Sequence, residues 1–211
     1  MRHGRRRILA IGAAGVAALP LLARPGLAQL APTTRIHGTI TGLTDNMLAV
    51  RTTGGDAVSI AFGPGTPITG VTAASLADIK PGDFVGTAAR PGPDGTLVAL
   101  EVHIFPESMR GSGEGHRPFN MGPQSTMTNG TVGSDSADVS SVSGRSITVK
   151  YAGGEKTVLV PPDVPVVRFE PGTLAMLAPG AQVSITASEA TGGVLSAVRI
   201  AVGEAGVTPP V

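Results

Sequence analysis

Ile79-Lys80-Pro81-Gly82-Asp83-Phe84-Val85 returns near the other end of the chain as Leu177-Ala178-Pro179-Gly180-Ala181-Gln182-Val183. In both places a Pro-Gly turn hands the chain from a short apolar stretch to a strand. Working outward, other pairs keep the same order. His37-Gly38-Thr39-Ile40 is echoed by Asn129-Gly130-Thr131-Val132, and Thr53-Gly54-Gly55-Asp56 by Ala152-Gly153-Gly154-Glu155. Beyond the Pro-Gly turns, Asp94-Gly95-Thr96-Leu97-Val98-Ala99-Leu100 matches Gly192-Gly193-Val194-Leu195-Ser196-Ala197-Val198. Similarity in fixed order at turns and strands points to a duplicated unit. The spacing departs mainly at 133–138, which reads as a loop inserted into the second copy.

Within the first copy, alternating runs at 38–42, 47–52, 57–62, 84–89 and 96–104 predict five strands. The Gly54-Gly55 turn marks a hairpin. Residues 72–79 read as a single short helix between the third and fourth strands, with Thr72 as its cap. Five strands with a helix at that place resemble the OB-fold, a small Greek-key barrel. The expectation is an all-β protein of two tandem five-stranded OB-like barrels, at 34–104 and 129–203. An ordered Gly/Pro-rich loop at 105–128 joins them, and a tail follows at 204–211. Units of about 70 residues are near the lower size limit for a core without staples, so the two are expected to pack together or to share the loop.

The first 28 residues have a basic head, a short apolar run and a small-residue finish, Gly26-Leu27-Ala28, which is the pattern of an export signal. Arg5-Arg6-Arg7-Ile8-Leu9 resembles the twin-arginine export pattern; the alternative is an ordinary secretory signal. The apolar run at 8–23 contains Pro20 and is closed by Arg24, short of the roughly 20 residues that span a bilayer. The expected location is therefore the periplasm or the exterior. Five of the 16 Lys and Arg leave with such a signal and none of the 15 acids does, so the mature chain carries a net charge of −4. With no tryptophan and a single tyrosine, Tyr151, neither a basic patch nor a set of stacking platforms remains for nucleic acid. Cysteine is absent, which excludes disulfides and thiolate chemistry. Only 3% of residues are aromatic, so the cores must be built from Val, Ile, Leu and Ala.

The joining segment concentrates the chemistry. His103, Glu107, Glu114 and His116, with Met109, Met121 and Met127 nearby, are candidate ligands for zinc or copper. Their spacing follows no established ligand pattern; the other reading is a surface histidine and a loop tied down by local hydrogen bonds. Gly111-Ser112-Gly113-Glu114-Gly115 between Arg110 and Arg117 could offer backbone N–H groups to a phosphate, but no helix follows it and Glu114 repels an anion. The glycines are better explained by close passage over a barrel surface, with Arg110 and Arg117 pairing to Glu107 and Glu114. No strand-turn-helix context supports Ser108 or Ser125 as a nucleophile, and nothing sets the separation of Glu107 and Glu114 as an acid/base pair. Met109, Arg110, Arg117 and Phe119 are candidates for an interaction loop, with the apolar groups either anchoring it or meeting a partner.

Ile104-Phe105-Pro106-Glu107-Ser108-Met109-Arg110-Gly111-Ser112-Gly113-Glu114-Gly115-His116, followed by residues 125–132, resembles a signature of an exported bacterial family of unknown function made of small repeated β-domains. The resemblance implies an envelope location, a duplicated barrel and no established reaction. The functional expectation is a non-catalytic binding or scaffold protein, its partner an unknown envelope protein or small ligand, without a cofactor. The alternative is a metal-binding protein using the His and Glu residues above.

Overall fold

The computed structural model describes residues 32–134, 145–189 and 192–210. The expected export signal and most of the inserted loop at 133–138 lie outside the described residues. Those described are all-β, with three single turns of 3-10 helix, and their thirteen strands join one large mixed sheet. In chain order the strands are β1 Thr33–Thr44, β2 Met47–Thr52, β3 Ala57–Ala61, β4 Ile68–Ala74, β5 Phe84–Pro91 and β6 Leu97–Ile104. They continue with β7 Gly115–Pro118, β8 Thr126–Val132, β9 Arg145–Tyr151, β10 Gly154–Val160, β11 Val166–Pro171, β12 Gln182–Glu189 and β13 Leu195–Gly203. Among the described residues no helix is long and apolar enough to cross a membrane.

The duplication is visible in the geometry. Gly55 and Gly153 hold the matching hairpin turns at φ +95° and +93°, a conformation that glycine adopts without steric cost. The β5–β6 ladder bulges between Ala88 and Ala89, and the β12–β13 ladder bulges at the matching place between Thr186 and Ala187.

The pairing does not follow the tandem division at 34–104 and 129–203. β1 pairs with β2, β2 with β3, β3 runs parallel to β13, β13 pairs with β12, and β12 returns to β1. A second closed circuit runs β8, β9, β10, β6, β5 and back to β8. Each circuit takes three strands from one copy and two from the other. The cores divide the same way: Ile40, Leu48, Val50 and Ile60 pack with Leu177, Val183, Ile185 and Ile200, while Ile79, Val85, Val102 and Ile104 pack with Ile147, Val149, Val158 and Val160.

The cause is the segment that was expected to be a helix. Residues 72–74 belong to β4, whose backbone pairs along its length with β11, so the ladder takes the hydrogen bonds a helix would have used. Only Leu76–Asp78 coils, as a single 3-10 turn whose Asp78 accepts from the Ser75 N–H at 2.8 Å. β4 carries the chain from the first circuit to the second, and β11 carries it back. They run antiparallel with Val71 opposite Phe169, and these two residues occupy matching places in the two copies. A pseudo-twofold axis therefore passes through that pair.

The connecting segment is built into this frame. It makes a 3-10 turn at Glu107–Met109, then β7, which pairs with the first half of β8. The Ser125 hydroxyl sits 2.6 Å from Phe119 O and accepts from Met121 N–H at 3.0 Å, closing the turn between the two strands. Residues 204–210 fold back over the sheet, with Pro209 buried.

Candidate functional site

Near the pseudo-axis β6 is buried on both sides. Glu101 and His103 alternate with the core residues Val102 and Ile104 and so point away from the core, yet they are only 6% and 5% exposed. What covers them is the other half of the molecule together with the connecting segment. On the first circuit, strand register puts Arg35, Thr186 and Arg199 in one row across β1, β12 and β13, with His37, Ser184 and Ala201 in the next. The matching rows of the second circuit are Met127, Ala88 and Glu101, then Asn129, Gly86 and His103. Equivalent places thus carry different chemistry: Arg199 answers Glu101, and Ala201 answers His103.

Between these rows lies a cavity of about 160 Å³, lined by residues including Arg35, Arg199, His103, Phe105, Asn129 and Phe169. Phe105 stacks on Phe169 with centroids 5.3 Å apart and planes 12° from parallel, and the His103 imidazole stands edge-on to Phe169 at 5.3 Å. Gly86 makes room for this stack, since a Cβ there would lie 2.9 Å from the Phe105 ring and 2.8 Å from Asn129 Oδ1. Met109, Arg117 and Phe119 of the connecting segment close the cavity. Phe119 also faces the Arg35 guanidinium at 5.8 Å, and both line an adjoining open groove past residues 33–37 and 118–120.

Several polar groups here are unusually placed. His103 Nε2 lies 3.2 Å from Glu101 Oε1 but is not aligned for a hydrogen bond. Asn129 donates its amide to Ser112 O at 3.1 Å, while its Oδ1 is buried with no donor. The pKa of the Arg35 guanidinium is lowered by burial and by the like charge of Arg199, against the opposing pull of Glu101. Burial also lowers the His37 pKa, assisted by Arg35, and lowers that of His116, assisted by Lys156.

The two lowered histidine pKa values set a pH dependence. A histidine that resists protonation in the folded state is protonated first in the unfolded chain, so stability is lost as pH falls through the ordinary histidine value of about 6.5. We expect the denaturation midpoint to fall between pH 7.5 and pH 5, and the fall to be smaller in a His37→Gln, His116→Gln double variant. A midpoint that holds or rises over that range contradicts the assignment.

The four side chains read as possible metal ligands are not brought together. His103 is buried beside Glu101, whereas Glu107 is exposed and grips Arg110 through bonds of 2.6 and 2.7 Å. Glu114 accepts from Ala152 N–H at 2.8 Å, and His116 Nδ1 meets Thr128 Oγ1 at 2.8 Å. Among the described residues no three His, Asp or Glu side chains converge on one point. Arg110 pairs with Glu107 and also reaches Gly82 O and Thr131 Oγ1, so it fastens the segment to the second circuit. Arg117 turns to Gly113 O at 2.5 Å instead of Glu114. Of the cavity residues, His103, Met109, Arg117, Phe119 and Met127 were singled out from the sequence as candidates; Arg35, Asn129, Phe169 and Arg199 were not. The available signal was the unmatched charge at equivalent strand positions, Glu101 against Arg199.

Residues 37–103 match the family model described as Domain of unknown function (DUF5666). That span runs from β1 to β6, covers most of one copy and, through the strand exchange, contributes to both cores. No curated protein and no solved structure matches the chain.

Proposed function

We propose that this is a non-catalytic binding protein of the cell envelope, in which two OB-like barrels with exchanged strands hold a small ligand between them. The observation that carries the reading is the cavity on the pseudo-axis. It is walled by the Phe105–Phe169 stack and the Arg35 and Arg199 guanidiniums, with His103, Asn129 and Ser184 completing a mixed apolar and polar lining. A concave apolar wall with a few convergent polar and charged groups is the usual form of a small-molecule site. The two circuits of five strands, with the third and fifth parallel, support the OB-like assignment. Export to the envelope is supported by the basic head, short apolar run and small-residue finish of residues 1–28.

The test is a melting-point survey of the mature protein against a library of small organic ions and neutral metabolites, run beside a Ser184→Leu variant that fills the cavity. A true ligand at about 100 times its Kd stabilises by about 2.7 kcal/mol, a shift of several degrees. We expect such a shift in the parent protein and its loss in the variant. A survey in which no compound shifts the parent, or shifts both proteins equally, removes the cavity as the binding site.

A further inference from the structure

The chemistry of the cavity walls narrows the class of ligand, and this step rests on the binding reading above. Arg35 and Arg199 flank Thr186 on one face of the sheet, and Arg199 Nε donates to Thr186 Oγ1 at 3.1 Å. Among the described residues neither guanidinium has a carboxylate within 4.0 Å. Two like charges held side by side, one of them half-buried, are stabilised by an anion placed between them, and a carboxylate matches the fork of a guanidinium. One end of the cavity therefore asks for a carboxylate.

The rest of the cavity asks for a ring. Its volume is about 160 Å³, close to the 150 Å³ that takes up a single benzene molecule. Phe105 and Phe169, stacked 12° from parallel, both line the cavity and give it an apolar aromatic wall.

We propose that the cavity binds a single-ring aromatic carboxylate. The carboxylate sits on Arg35 and Arg199, and the ring lies against the wall that Phe105 and Phe169 supply.

Calorimetric titration of the mature full-length protein tests this with four probes: benzoate, benzyl alcohol, cyclohexanecarboxylate and acetate. We expect benzoate to bind most tightly. Benzyl alcohol loses about 100-fold with the charge. Cyclohexanecarboxylate and acetate are weaker than benzoate. Arg199→Gln, at an exposed position, weakens benzoate by about 10- to 100-fold, while Arg90→Gln, outside the cavity, does not. The idea is overturned if the alcohol binds as well as the acid, if acetate or cyclohexanecarboxylate binds as well as benzoate, or if Arg199→Gln changes nothing. If none of the four binds while another compound is blocked by Ser184→Leu, the ligand class is wrong and the binding reading stands. If nothing binds at all, both fall.

Discussion

Residues 32–110 expressed alone are expected not to fold as a monomer. That fragment holds β1 to β3 of one core and β5 and β6 of the other, so it lacks Leu177, Val183, Ile185, Ile200 and Val202 on one side and β8 to β10 on the other. Five missing large side chains are worth roughly 7–15 kcal/mol at 1.5–3 kcal/mol each, as much as the whole stability of an ordinary domain. Light scattering and thermal unfolding at micromolar concentration are expected to show an unfolded chain or a dimer that supplies the absent strands from a second copy. Mixing with residues 111–210 is expected to restore a cooperative transition. A fragment that melts sharply as a monomer would mean that one copy can close its own circuit.

The second large effect is steric. A Cβ on Gly38 would lie 2.2 Å from Arg51 O, and one on the matching Gly130 would lie 2.3 Å from Lys150 O. Both clashes are with backbone of the neighbouring strand, which the sheet hydrogen bonds hold in place. Gly38→Ala and Gly130→Ala are each expected to cost about 3 kcal/mol in urea unfolding, the upper end of overpacking costs. Gly42→Ala is the control: its Cβ would meet only Ala49 Cβ at 3.6 Å, and it should cost below about 1 kcal/mol. Equal losses at Gly38 and Gly42 would show that the ladder yields locally.

Much of the fold was legible because it is encoded locally. Strands such as Met47–Thr52 announce themselves by alternation, and matching turns such as those at Gly55 and Gly153 reveal the duplication. The exchange was not legible. In a duplicated sequence β12 and β5 are equally good partners for β1 by pattern, and the choice is made by how the intervening chain travels. That path runs through residues 68–74, where small residues and threonines carry no strong period, so the last of them read as helix. The site suffered from the same limit. Arg35 and Arg199 each look like a solvent-facing residue on a half-buried strand, and only the topology sets them side by side. His103 drew notice by its residue type, but the side chains suggested as its companions, Glu107, Glu114 and His116, are engaged by Arg110, the Ala152 N–H and Thr128 instead.

The pairing of β4 with β11 across the pseudo-axis has an evolutionary corollary. Two separate copies of one unit, related by true twofold symmetry, would be obliged to present identical groups on both sides of their shared hollow, and a guest there would meet the same surroundings in either of two orientations. Fusing the copies into one polypeptide lifts that obligation while keeping the partners at high effective concentration. Arginine could then arise opposite glutamate, and alanine opposite histidine. The hollow gained a head and a foot, so whatever enters it is received one way round.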